Sequence, residues 1–286
     1  MKLLTFRRED GTTAAGIRHG DGTPDDVVRE ARIDGHVCAD VGDVLQHADW
    51  LERIQPADGT DRRYGDLSLT TLVPRPGKVV CVGLNYRTHI LEMGRELPQH
   101  PTLFAKFAST LTGPNDDIEA PSEDPALDWE AELTVVIGRQ CRRVSETDAP
   151  HAIAGYTVAN DISMRTWQFR TKEWLQGKAW DASTPVGPVL LTADEWDPAS
   201  RIWTSVNGKQ MQSATTDDLL FGPAELVSYV STMMSLEPGD LILTGTPGGV
   251  GRAREPEVYL APGDVVETGI DGIGTLHNRI VAAGAA

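Results

Sequence analysis

Between residues 79 and 276 the chain is a succession of short apolar and β-branched runs, each closed within a few residues by Gly, Pro, Asn or Asp. VVCVGLNY, AELTVVIG, GYTVAND, GPVLLTA, RIWTSVNGK, DLILTGT and DVVETGIDGIGTL all have this form. Runs so short, so rich in Val, Ile and Thr, and so punctuated read as strands that must pair into sheets. The best helical stretch is PAELVSYVSTMMSL, residues 223–236. Pro223 suits its first turn, and Leu226, Val230 and Met233 recur at helical spacing, which predicts a buried stripe. Its adjacent methionines read as core filler. The fold class expected is therefore α+β.

A looser section precedes these strands. KLLTF and TTAAGIRHG, separated by the turn-like REDG, predict a strand pair. DVGDVLQHADWLERI predicts a helix with Leu45, Ala48 and Leu51 on its inner stripe. VPRPGK, with two prolines and a glycine, reads as a boundary, so residues 1–72 are expected to form a small N-terminal α/β appendage and residues 73–286 the main domain.

Composition excludes some functions. A net charge of −16 over 286 residues argues against a nucleic-acid backbone or an anionic membrane as partner. The three cysteines, Cys38, Cys81 and Cys141, are scattered and imply no disulfide framework, which fits a reducing compartment. MKLLTFRRED has too short an apolar stretch for a signal peptide, and no run approaches the ~18 apolar residues of a membrane span, so a cytoplasmic location is expected.

Acidic residues carry the strongest chemical signal. DWEAELTVVIG, residues 128–138, puts Glu130 and Glu132 on one face of a strand, where like charges repel and resist dehydration. Asp161, at the end of the GYTVAND run, is a third carboxylate at a strand terminus. With no clustered Cys or His, such a set favours a hard cation such as Mg²⁺, Mn²⁺ or Ca²⁺. In VGLNYRTHILEMG, His89 and Glu92 stand three apart and share a face if the segment is helical, a pairing that suits a general base. Lys178, between Gly177 and an apolar-aromatic stretch, sits where part of its side chain can be buried. LTGTPGGVG, residues 243–251, lacks the Gly-Lys-Ser/Thr of a phosphate loop, so a nucleotide reading fails.

Taken together and in order, GLNYRTH, DWEAELTVVIG, GYTVANDIS, GKAWDASTPVGP and GDLILTGTPGGVG resemble the fumarylacetoacetate hydrolase superfamily. The resemblance implies a mixed β-roll catalytic domain, usually in a homodimer, and an Mg²⁺ or Mn²⁺ ion held by Glu130, Glu132 and Asp161. By the same carry-over His89 is the base, Glu92 its orienting partner, Lys178 faces the substrate oxygens, and Arg165, Gln168 and Thr246 contact substrate. Two departures stand out. Gly83-Leu84-Asn85-Tyr86 holds no acid where larger members have a further metal-binding Asp, which points to the shorter, acylpyruvate-cleaving members. Thr166 replaces a common Asp after Arg165.

The reaction implied first is hydrolysis of the C–C bond of a 2,4-dioxo acid such as fumarylpyruvate, leaving a pyruvate enolate steadied by the cation and Lys178. Oxaloacetate decarboxylation, or isomerisation, decarboxylation or hydration of 2-hydroxymuconate-type acids, passes through the same enolate and is the alternative. Arg87, Arg95, Lys106 and Arg170 are the candidates to meet a second substrate carboxylate.

Overall fold

The computed structural model describes residues 1–20, 22–92, 94 and 96–284. It is an α+β fold built mostly of strands. The strands that organise it are β1 (Lys2–Arg7), β2 (Thr13–His19), β3 (Val27–Ile33), β4 (Val79–Gly83), β5 (Thr102–Lys106), β6 (Ala131–Ile137), β7 (Ile153–Asn160) and β8 (Thr184–Thr192). They are followed by β9 (Arg201–Val206), β10 (Lys209–Thr215), β11 (Leu241–Leu243), β12 (Val265–Ile270) and β13 (Gly274–Ala282). The helices named below are α1 (Val41–Gln46), α2 (Arg87–Glu92) and α3 (Pro223–Met233).

One mixed sheet runs β3-β2-β1-β8-β7-β6-β11-β4-β5. The N-terminal strands extend it, since Lys2 and Leu3 of β1 pair with Leu191 and Leu190 of β8. A second sheet, β13-β12-β9-β10, carries the short strand Ile118–Ala120 on its outer edge. The period-2 alternation of strands sorts side chains to two faces. Leu133 and Val135 of β6 join Val158, Val189, Ile202, Ile270 and Leu276 in the core between the sheets. Val136, Val79, Cys81, Leu190 and Leu243 face the other way, toward Val41, Val44 and Leu45 of α1. Every residue of β6 and β7 is buried, and each large apolar side chain there contributes about 1.5–3 kcal/mol.

Two helical expectations are corrected. The N-terminal helix stops at Gln46, and a separate turn, Trp50–Arg53, begins after Asp49 enters the left-handed region at φ 53°. That break swings Leu51 outward to 50% exposure, and Trp50 is buried instead. Helix α3 buries Leu226 and Val230 as expected, but Met233 is 52% exposed. The buried stripe runs through Leu226, Val227, Val230 and Ser231, with Met234 packed on the core beyond it, so Met233 falls on the flank of the helix. All three cysteines are free and buried. Among the described residues no helix is long and apolar enough to cross a membrane.

A buried ion pair pins the loop joining β2 to β3. Arg18 Nε lies 2.7 Å from Asp26 Oδ2, and its guanidinium stacks 3.6 Å from the centroid of Tyr64. Burial alone would raise the Asp26 carboxyl, but the amides of Gly22 and Thr23 and the Arg18 guanidinium outweigh it and bring it down to about 2. A carboxyl depressed on folding stabilises the protein above its ordinary pKa and loses that effect as pH falls through the folded value. Asp26→Asn is therefore expected to cost about 2 kcal/mol at pH 7, with the gap to wild type closing between pH 4 and about pH 2. Chemical denaturation across that range checks it; a gap that persists at pH 2 refutes the assignment.

Candidate functional site

The direction of four neighbouring strands brings distant segments to one end of the main sheet. β6 and β7 are antiparallel, with Ala131 opposite Asn160, so the residue before β6 lies beside the residue after β7. β11 is antiparallel to β6, with Leu243 opposite Thr134, and β4 is parallel to β11, with Cys81 opposite Leu243. The outgoing ends of β4, β7 and β11 thus meet the incoming end of β6. Glu130 and Glu132, Asp161, the turn at 244–251 and the segment at 83–89 gather there.

One carboxylate oxygen from each of Glu130, Glu132 and Asp161 lies within 4.8 Å of the others. Their backbones are locked to one another. Asp161 N–H donates to the Glu130 carbonyl at 2.9 Å, and Glu130 N–H donates to Asn160 Oδ1 at 2.9 Å. Lys178 ends the helical turn Leu175–Lys178 and is fully buried, its Nζ 2.7 Å from both Glu130 Oε2 and Asp161 Oδ2. Burial would lower its pKa, but Asp161 and Glu130 outweigh that and hold the ammonium above its ordinary value. Arg165 reaches Glu130 Oε1 at 2.6 Å and Asp128 Oδ2 at 2.8 Å, and donates to Gln168 Oε1 at 2.9 Å. Burial opposes its charge too, and the two carboxylates restore it.

Glu132 differs from its neighbours. Its Oε2 accepts the Gly245 N–H at 2.8 Å, and among the described residues it makes no ion pair. Burial first, then Asp161 and Glu130, push its carboxyl well above the usual range. Four carboxyl groups (Asp128, Glu130, Glu132 and Asp161) here face three cations (Lys106, Lys178 and Arg165), a surplus of one negative charge in a dry setting. The donor set is all oxygen, the charge is unbalanced, and one acid lacks a cation. These residues fit a divalent ion of the Mg²⁺ or Mn²⁺ kind. Gly245 is required where it stands: at φ +97° its N–H turns to Glu132, and a Cβ there would meet the Val82 carbonyl oxygen at 2.8 Å.

Glu130 and Lys178 open into a cavity of about 360 Å³. Val82, Phe104, Phe169 and Trp174 give it apolar walls, while His89, Arg165, Gln168, Thr246 and Arg252 supply polar ones. His89 lies on α2, half-buried. The Glu92 side chain and Arg95 lie outside the described residues. Thr246 accepts from Gln212 Nε2 at 2.9 Å, and that amide also donates to the Pro247 carbonyl at 2.9 Å.

Some site features escape sequence reasoning. Lys106, expected as a candidate for a distal substrate carboxylate, is instead buried with its Nζ 2.7 Å from Asp161 Oδ1 and 2.8 Å from Thr184 Oγ1. The signal for it was a lysine closing the apolar strand TLFAK. Arg170 stacks 3.6 Å over Trp167, and Arg87 is exposed. Asn85, in the stretch without an acid, is a structural clasp: Nδ2 donates to the carbonyls of Phe221 and Thr244, and Oδ1 accepts from Phe221 N–H. Thr166 is exposed. Asp128 does not join Glu130 on the strand face. It turns away to accept the amides of Trp129 at 2.8 Å, Gly251 at 2.6 Å and Arg252 at 3.0 Å.

Comparison with known proteins gives the family. The model of the fumarylacetoacetate (FAA) hydrolase C-terminal family matches residues 78–281. The chain is 46% identical over 213 residues to the mitochondrial oxaloacetate tautomerase FAHD2A of Bos taurus, covering 73% of this chain and 68% of that protein. The crystal structure of a 5-carboxymethyl-2-hydroxymuconate delta-isomerase from Mycobacterium smegmatis matches with a TM-score of 0.81 and 34% identity, over 99% of this chain and 100% of that one. A fumarylacetoacetate hydrolase from psychrophilic Exiguobacterium antarcticum matches with a TM-score of 0.85 and 32% identity, over 99% of both chains.

Proposed function

The chain belongs to the fumarylacetoacetate hydrolase superfamily of enzymes, and from that premise we propose that it is a divalent-cation-dependent enzyme moving a proton at C3 of a short 2-oxo dicarboxylic acid. One observation carries the reading: Glu130, which shares the wall of one cavity with His89 and Lys178, is clustered with the buried carboxylates of Glu132 and Asp161. A bound Mg²⁺ or Mn²⁺ would supply Lewis-acid polarisation of the acid's 2-oxo group, which lowers the cost of forming an enolate. Glu130, Glu132 and Asp161 would hold it.

The chain's own side chains account for the rest. His89, in the cavity wall, takes the C3 proton and returns it, the work of a general base. Lys178 stays charged because two carboxylates face it, so it offers an ammonium to the developing enolate oxygen. Thr246, steadied by Gln212, and Gln168 orient the substrate carboxylate. Phe104 and Trp174, packed edge to face at 5.6 Å, limit the water that would otherwise screen these charges.

The named likeness to a tautomerase and an isomerase gives proton transfer precedence over C–C hydrolysis, the reaction implied first by sequence. Hydrolysis of an acylpyruvate is the second reading, supported by the likeness to a fumarylacetoacetate hydrolase; there His89 would take its proton from water. Oxaloacetate and acetylpyruvate, each supplied with Mg²⁺ and then with chelator, separate the two. The expected result is chelator-sensitive keto–enol interconversion of oxaloacetate; pyruvate and acetate from acetylpyruvate as the faster reaction would favour the second reading, and full activity in chelator would refute both. His89→Ala is expected to lower turnover about 10²–10⁴-fold while Mn²⁺ affinity stays within about twofold. Undiminished turnover in that variant removes His89 from the chemistry.

A further inference from the structure

Among the described residues the cavity wall holds three with positive charge, and their commitments differ. Lys178 is already paired with Glu130 and Asp161, and Arg165 with Asp128 and Glu130. Arg252 lines the same cavity, is solvent-exposed, and among the described residues makes no ion pair. It is nevertheless held in place. Its guanidinium lies 3.6 Å from the centroid of Phe169, itself a cavity-wall residue, and its backbone N–H donates to buried Asp128 at 3.0 Å. The turn Gly251–Ala253 that carries it is further fixed by the Gly251 N–H on Asp128 at 2.6 Å.

We infer that Arg252 is the specificity-determining residue that receives the distal carboxylate of the substrate, and so selects 2-oxo dicarboxylic acids over 2-oxo monocarboxylic acids. The inference rests on the 2-oxo-acid reading of the site and says which acids it admits. Contact with the Phe169 ring restrains the guanidinium, and among the described residues its side-chain N–H groups make no hydrogen bond, so its edge can meet a carboxylate with two parallel hydrogen bonds. The acid's proximal end would be drawn to Lys178 and to the cation that the carboxylate trio would hold, so a second carboxylate must find its partner elsewhere on the wall. Among the described residues Arg252 is the wall's uncommitted fixed cation. A methyl group in that position would leave the guanidinium in water and gain nothing from it.

The test compares wild type, Arg252→Ala and Arg252→Lys, each loaded with Mg²⁺, on oxaloacetate and 2-oxobutanoate, which differ by the distal carboxylate. Exchange of the C3 hydrogens for deuterium, followed by NMR, reads turnover. Loss of a charge-assisted pair predicts that kcat/KM of Arg252→Ala falls about 10- to 100-fold more for oxaloacetate than for 2-oxobutanoate, chiefly through KM, with Arg252→Lys between. Equal losses on both acids would overturn the assignment. Calorimetric binding of the unreactive 2-hydroxy analogues, malate and 2-hydroxybutanoate, separates this inference from the reaction itself. Should wild type exchange neither substrate, the proton-transfer reading fails. A wild-type preference for malate that Arg252→Ala abolishes still upholds the role of Arg252, and no preference refutes it.

Discussion

Glu132→Gln is expected to stabilise the ion-free protein while weakening its affinity for Mn²⁺ by more than about a hundredfold. Outer partners of a metal site cost 10- to 100-fold when lost, and a direct ligand should cost more. Stability moves the other way because Glu132 is buried beside two other acids with a lone amide for company. Glutamine has the same shape, can still accept the Gly245 N–H, and removes the like-charge repulsion. A gain of about 1 kcal/mol, or 2–4 °C in Tm, is the expected scale. Thermal melts with and without Mn²⁺ read both effects. A variant that melts lower than wild type in chelator, or that binds Mn²⁺ as well, removes Glu132 from the ion's coordination.

Lys178→Met should show the opposite division. Turnover falls about 10²–10³-fold, the usual cost of deleting a donor aimed at a developing oxyanion, yet Mn²⁺ binds at least as well as in wild type. The ammonium lies 2.7 Å from oxygens of both Glu130 and Asp161, so its removal raises the negative charge available to a cation. The ion-free variant is also expected to lose about 3–5 kcal/mol, since one side of a buried ionic cluster is left unpaired, and Mn²⁺ should restore much of the loss. Titration calorimetry beside single-turnover assays distinguishes these outcomes. A parallel loss of metal affinity and turnover would mean that Lys178 organises the carboxylates rather than serving the substrate.

What could be read from the residues, and what could not, follows from the range of each interaction. Strand periodicity is local, and Glu130, Glu132 and Asp161 were legible because each sits at a strand end, where a charged group beside an apolar run has to be explained. Lys178 stood out only through the family resemblance, because its two partners lie 48 and 17 residues away and its apolar surroundings alone did not mark it. Lys106, Gln212 and Arg252 owe their places to contacts made across the sheet and the turn at 244–251, and nothing in their immediate neighbours records those contacts. The Asp128 case is instructive. Its spacing to Glu130 is that of Glu130 to Glu132, yet Asp128 lies in the short strand Leu127–Asp128, outside β6, and faces the amides of Gly251 and Arg252. Failures in the helices have the same origin: Met233 satisfies the period, but the sheet below buries the face of Leu226, Val227, Val230 and Ser231 and leaves Met233 on its edge.

Asp128 also joins two tasks that an engineer would prefer to keep apart. One carboxylate oxygen holds Gly251, the other holds Arg252 and the Nε of Arg165, and Arg165 in turn grips Glu130. The rim residue proposed to sort substrates and the acid proposed to hold the ion are thus two ends of one short lever. Redesign of residues 251–253 for a new substrate should shift metal affinity as well, and libraries built there need screening at more than one Mg²⁺ concentration.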